Sequence, residues 1–158
     1  MTVVGIAKFI HLLSIVVWLG ALVFFSFFAA PSIFKVLPRE EAGTVVGAIF
    51  PKYWAIGYVS SSLAIIALLV VSYIEKSFPA IRLLLLAAMT VITFYSGLTV
   101  GARARTLKAD IKATEDTEKK ALFRKEFKKV HFVSSVLNMT VIAGGVVLIF
   151  FTSQALKP

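Results

Sequence analysis

Four stretches of this chain are apolar long enough to cross a lipid bilayer: roughly Val4 to Ala30, Trp54 to Tyr73, Pro79 to Gly101 and Val130 to Thr152. A hydrocarbon core of about 30 Å needs about 20 such residues per helical span. None of the four alternates polar with apolar residues as a barrel strand does. Backbone groups in hydrocarbon must also be satisfied within their own segment, so each run is expected to be a helix. The expected fold class is all-α: an integral membrane four-helix bundle, built as one domain over residues 1–158. Composition agrees, with 59% hydrophobic and 16% charged residues against about 25% charged in soluble domains. The first run is too long for a signal-peptide core and has no basic segment before it, so it reads as a retained span.

Charge then orients the spans. The chain carries 17 Lys and Arg, and ten of them lie between Arg103 and Lys129. Lys35, Arg39 and Lys52 fall in the first connection, on the same side. Only Lys8, Lys76, Arg82 and Lys157 fall opposite. Basic residues beside spans are retained on the cytoplasmic face. Both termini are therefore expected outside, with the chain in a bacterial inner or plasma membrane. The basic segment is expected to meet anionic headgroups inside, at about 1 kcal/mol per residue. The net charge of +9 is thus assigned to the lipid surface, with no nucleic-acid partner. A homo-oligomer or a larger membrane complex is the other kind of partner expected. The absence of cysteine excludes disulfides, iron–sulfur clusters and thiolate chemistry.

Between the spans the pattern becomes amphipathic. Pro31 is expected to break the first helix. Pro38 suits a first helical turn, Glu40 and Glu41 favour a helix N-terminus, and Pro51 marks the expected stop. Ala42, Val45, Val46, Ile49 and Phe50 share one face, so a short interfacial amphipathic helix is expected in the headgroup plane. Gly43 and Gly47 weaken its intrinsic helicity. Beyond Gly101, the spacing of Leu107, Ile111, Leu122, Phe123, Phe127 and Val130 predicts a cytoplasmic helical hairpin that turns at Thr114-Glu115-Asp116-Thr117. Gly97 and Gly101 form a GxxxG pair suited to close helix approach, first of all within one subunit.

Two polar stripes stand out within the spans. His11, Ser14 and Trp18 recur at helical spacing on the first, and His131, Ser134, Ser135 and Asn138 on the fourth. Ionisable residues inside a membrane are functional candidates; the plainer reading is that the stripes face each other and hydrogen-bond to hold the bundle. At 1.5 Å of rise per residue, the two histidines differ in depth by about 20 Å, too far to clamp one haem. A single-histidine haem or metal site at His11 stays open. By the same arithmetic Asn138 is expected level with Trp18. Met89 and Met139 also come out at similar depth, and paired thioethers suit Cu(I), although two packed methionines are the stronger reading. No metalloprotease, nucleophile-elbow or phosphate-loop motif occurs, so no catalytic residue is assigned.

Several of these residues form a pattern. His11-Leu12-Leu13, Trp18-Leu19-Gly20, Leu37-Pro38-Arg39, Ala42-Gly43, Phe50-Pro51-Lys52-Tyr53 and His131-Phe132-Val133-Ser134-Ser135-Val136-Leu137-Asn138 resemble the transmembrane protein 205-like family. The resemblance implies a four-span membrane domain of unknown function, with Pro38, Arg39, Gly43, Phe50, Pro51 and Tyr53 as a signature elbow. For eukaryotic relatives it implies an association with platinum-drug resistance and trafficking. A looser similarity, histidine followed seven residues later by Trp-x-Gly, links the chain to copper resistance protein D and to the haem-binding protoporphyrinogen oxidase of bacteria; it departs from the latter in lacking a buried basic partner for its histidine. The expected function is a non-enzymatic membrane subunit or small solute-handling module. The alternative is a haem- or copper-binding protein in metal handling or electron transfer.

Overall fold

A computed structural model describes residues 2–155. Four helices run antiparallel to their neighbours: α1 (Val3–Val36), α2 (Arg39–Glu75), α3 (Ala80–Ala113) and α4 (Thr117–Gln154), of 34, 37, 34 and 38 residues. At 1.5 Å per residue each is about 51–57 Å long, well beyond a 30 Å hydrocarbon core. Their apolar stretches mark the chain as an integral membrane protein. One end of the bundle holds the start of α1, the end of α4 and the 76–79 turn. The other holds the joint at Leu37-Pro38 and the turn at 114–116. Lys157, counted above on the terminal side, lies outside the described residues.

Local chemistry sets the helix ends. The Thr2 hydroxyl accepts from the Gly5 N–H (3.2 Å) to start α1. Leu37 is extended (φ −106, ψ 149), as the residue before a proline prefers, and Pro38 then opens α2. Lys76 closes α2 in the left-handed region (φ 50). The Asp116 carboxylate caps α4 by accepting from the Glu118 and Lys119 N–H groups at 2.9 and 3.2 Å. The hairpin turn thus falls where the sequence places it.

Two prolines do not act as expected. Pro31 does not break α1; the helix widens just before it into a π-helical turn, Phe25–Ala29, where the Ala30 N–H bonds to Phe25 O. The wider turn makes room for a ring that would otherwise meet the carbonyl of the turn before. Nor does Pro51 end a separate interfacial helix, because residues 39–75 form one helix with Pro51 inside it. An internal proline costs about 3 kcal/mol. The contacts on both sides of it offset that cost: Ala42 and Val46 are buried, and Phe50 and Tyr53 lie 5.3 and 4.9 Å from the Phe25 ring. Ala42, Val46, Ile49 and Phe50 of the expected amphipathic face pack into the bundle, while Val45 is exposed.

Small residues set the helix spacing. A Cβ on Gly97 would overlap the Tyr58 hydroxyl and stand 2.9 Å from the Trp54 ring; one on Gly145 would overlap Leu19. Hence α3 lies tight on α2, and α4 on α1. The GxxxG pair of α3 is used inside the subunit. The least enclosed helix is α4, with 17% of its span buried against 33–39% for the others. It lies at the rim of the bundle, its remaining face turned to the bilayer. Gly97→Ala is expected to destabilise the protein by about 1–3 kcal/mol through overfilling. Gly20→Ala, whose Cβ meets nothing within 4 Å, is expected to be neutral. Unfolding of both variants in mild detergent checks this; equal shifts would contradict it.

Candidate functional site

The polar stripe of α1 faces inward. His11, Ser14 and Trp18 are all buried, the last only 1% exposed. They meet α2 in antiparallel register. His11 Nδ1 lies 2.9 Å from Ala64 O, and donation to that carbonyl leaves Nε2 as the unprotonated ring nitrogen. Farther along, Ser14 is buried, as is Ser61 of α2. Trp18 stands against Gly57, where a Cβ would come within 3.7 Å of the indole Nε1. Trp18, Tyr53, Gly57 and Thr93 line an internal cavity of about 10 Å³, room for about one water-sized molecule. Neither Trp18 Nε1 nor the Tyr53 hydroxyl has a hydrogen-bond partner, and His11 Nε2 has none either. The result is a file of buried polar groups along the α1–α2 contact, able to hold small hydrogen-bonding species.

The α4 stripe does not join it. Ser134 and Asn138 are half-buried, on the seam that continues through the buried Val141, Gly145, Leu148 and Thr152. His131 and Ser135 are exposed. The face is as expected, but the level is not. With Leu19 against Gly145, the antiparallel register brings Asn138 to Ser26 rather than to Trp18. The Tyr53 hydroxyl faces Asn138 and Ser26, without a well-formed hydrogen bond to either. His131 stacks on Phe127 (6.3 Å, 8°), and Ser135 donates to the His131 carbonyl within its own helix. The expected pairing of the two stripes is therefore replaced by packing of Leu19 on glycine. The paired-methionine idea fails too: Met89 is buried against Gly144, while Met139 is 39% exposed.

Sequence reasoning missed two partners near His11. Lys8, one turn earlier, pairs with Glu75 at 2.6 Å and ties α1 to the end of α2. Such a half-exposed pair is worth about 0–1 kcal/mol. Arg82, half-buried at the start of α3, lies within electrostatic reach of His11. Glu75 and Arg82 read in sequence as turn charges. Only the antiparallel return of the chain carries Glu75 to Lys8 and Arg82 within electrostatic reach of His11.

His11 Nε2 is enclosed by the contact between α1 and α2. His11 Nε2 has under 1 Å² of accessible surface, so the iron of a macrocycle cannot approach it while α1 and α2 stay packed. Among the described residues, no group of three or more His, Cys, Asp or Glu side chains is placed to hold a metal ion. The signature elbow is structural: Phe50, Tyr53 and Trp54 cluster on Phe25 of the π turn, Pro51 lies inside α2, and Pro38 and Arg39 form the exposed joint. Gly43 lies under the Lys108 ammonium, which donates to its carbonyl (2.5 Å). His11→Ala is expected to lower stability by about 1–3 kcal/mol, through a lost hydrogen bond and a cavity, with no change in visible absorption. A Soret band lost at wild-type stability would contradict this.

Comparison with known proteins adds a family. The model of a family described as a domain of unknown function (DUF4149) matches residues 13–113, from α1 to the end of α3. An uncharacterized protein of Aquifex aeolicus (strain VF5) is 50% identical over 48 residues, 30% of this chain and 35% of that protein. That match spans about a third of the relative's length. No solved structure matches.

Proposed function

We propose that this chain, which belongs to the DUF4149 family of domains of unknown function, is a non-enzymatic membrane subunit that presents a rigid basic hairpin to an anionic surface. The observation that carries the reading is the unbroken run of α3 and α4 past their apolar stretches. Residues 101–113 and 117–129 are helical, each projecting about 20 Å at 1.5 Å per residue. Together they hold ten basic residues against three acidic ones. Arg103 of α3 pairs with Glu126 of α4 at 2.8 Å, and Leu107 is fully buried, so the two helices move as one body. Basic residues favour the cytoplasmic face, which puts both termini outside, in a bacterial plasma membrane on our reading. The outward face of α4 suits a second copy or a larger membrane complex. The elbow and His11 patterns further support a kinship with transmembrane protein 205-like proteins.

The alternative, a haem- or copper-binding protein, rests on the bare Nε2 of His11. Its enclosure and the lack of companion ligands leave the hairpin as the better supported feature. Because the chain has no cysteine, single cysteines test the orientation cleanly. In intact bacterial cells with the outer membrane permeabilised, Ser77→Cys is expected to react with an impermeant maleimide. Lys120→Cys is expected to react only after the inner membrane is opened. The reverse pattern would overturn the proposal.

A further inference from the structure

The charges of the hairpin are unevenly neutralised. Arg103 has Glu126, and Lys119 reaches Asp116 at 3.7 Å. Arg105, Lys108 and Lys112, at i, i+3 and i+7 on α3, have no acidic partner within 4 Å among the described residues. Lys108 lies across the glycine face of α2, donating to Gly43 O; a Cβ on Gly47 would stand 3.1 Å from its Nζ. Burial, and then the charge of Lys112, hold its ammonium below the ordinary lysine range. Three cations facing one seam without a counter-charge favour an anion there.

The seam has a second component. Over Gly101, where the apolar stretch of α3 ends, the Trp54 indole Nε1 and the Arg105 guanidinium meet; a Cβ there would lie 3.2 and 3.6 Å from them. From Gly101, Arg105 is about 6 Å and Lys108 about 10 Å farther along the axis. Headgroups occupy about 5–8 Å beyond the hydrocarbon, and long basic side chains reach back toward that layer. On the hydrocarbon side, Thr90, Val91, Phe94, Tyr95, Leu98 and Thr99 line an open trough of about 350 Å³. The Phe94 ring is 4.5 Å from that of Tyr58, and the Tyr58 hydroxyl lies within electrostatic reach of Arg105. The trough lies on α3 itself, and its Phe94 edge adjoins Tyr58 of α2 on the side of the cations.

We propose that the α2–α3 seam at the hairpin end binds one anionic phospholipid, its phosphate held by Arg105 and the Trp54 indole, with Lys108 and Lys112 adding positive charge farther out, and an acyl chain lying in the trough. This rests on the reading of the hairpin as a surface for anionic partners and names the partner. Arginine offers a planar fork to phosphate oxygens, and lysine a point charge. A soluble acidic segment would satisfy the cations but leave the trough, at membrane depth, empty. A phospholipid satisfies both.

The full chain in mild detergent is titrated with phosphatidylglycerol, with phosphatidylcholine of the same chains, and with inorganic phosphate, and bound species are counted by native mass spectrometry. One phosphatidylglycerol is expected to bind about tenfold more tightly than phosphatidylcholine. The exposed pair Arg105→Gln/Lys112→Gln is expected to weaken it by about tenfold or more with an unchanged melting temperature, and Leu98→Asn to weaken both lipids. Lys120→Gln/Lys125→Gln, which removes equal charge elsewhere on the hairpin, is expected to have no effect. Equal weakening by the two charge pairs would replace the site with diffuse attraction to the hairpin. Competition by inorganic phosphate as strong as by the lipid would reduce it to a free-anion site. Equal binding of the two lipids would overturn it. Orientation does not enter a detergent titration, so a failed labelling experiment would leave this result standing, and the reverse.

Discussion

Every backbone N–H and C=O in hydrocarbon needs a partner in its own segment, because lipid offers none. This chain meets that demand by remaining helical, even at prolines that would end a helix in water. At Pro31 the helix absorbs the ring by widening into the π turn Phe25–Ala29. At Pro51 it continues because aromatic contacts hold both sides of the proline in place. Two consequences follow. The helices overrun the bilayer by about 20 Å, and both pairs do so on the side where Leu37-Pro38 and residues 114–116 join them. The basic segment is therefore a rigid extension of the spans.

Lipid tails are as apolar as leucine, so helices in a membrane gain little by hiding leucine from lipid. Close van der Waals approach does the work instead, and glycine permits it. Gly57 admits Trp18, Gly97 and Gly101 admit Tyr58 and Trp54, and Gly144 and Gly145 admit Met89 and Leu19. These contacts set the register, and the register sets the site. It lays His11 on the Ala64 carbonyl, confines Trp18 and Tyr53 around a cavity of about 10 Å³, and leaves Lys108 on the backbone of Gly43. The buried polar file and the uncompensated cations thus share a cause in the same close approach.

Much of this was legible in the sequence, for reasons that particular residues show. The spans follow from run length, the 114–116 turn from the polar Thr114-Glu115-Asp116-Thr117 break between two helically spaced apolar sets, and the inward face of α1 from the spacing of His11, Ser14 and Trp18. Depth was less legible. Run length alone puts Asn138 level with Trp18, because it starts each span where the apolar run starts. The real register is set by Leu19 on Gly145, a contact that no run length reveals. Pro31 and Pro51 misled because proline signals are calibrated on helices in water. Glu75 gives no sign of its pairing with Lys8, nor Arg82 of its reach to His11, since sequence distance hides what an antiparallel return brings together.

The continuity of α2 through Pro51 is the most direct point of test, since the rigid seam between the membrane and the hairpin depends on it. Spin labels at Glu41→Cys and Tyr73→Cys, in protein reconstituted into lipid bilayers, report their separation by pulsed dipolar spectroscopy. An unbroken helix over those 32 residues puts the labels about 48 Å apart at 1.5 Å per residue. A narrow distribution centred near that value is the expected result. A distance of about 36 Å, as from a segment that turns at Pro51 into the headgroup plane, would contradict it.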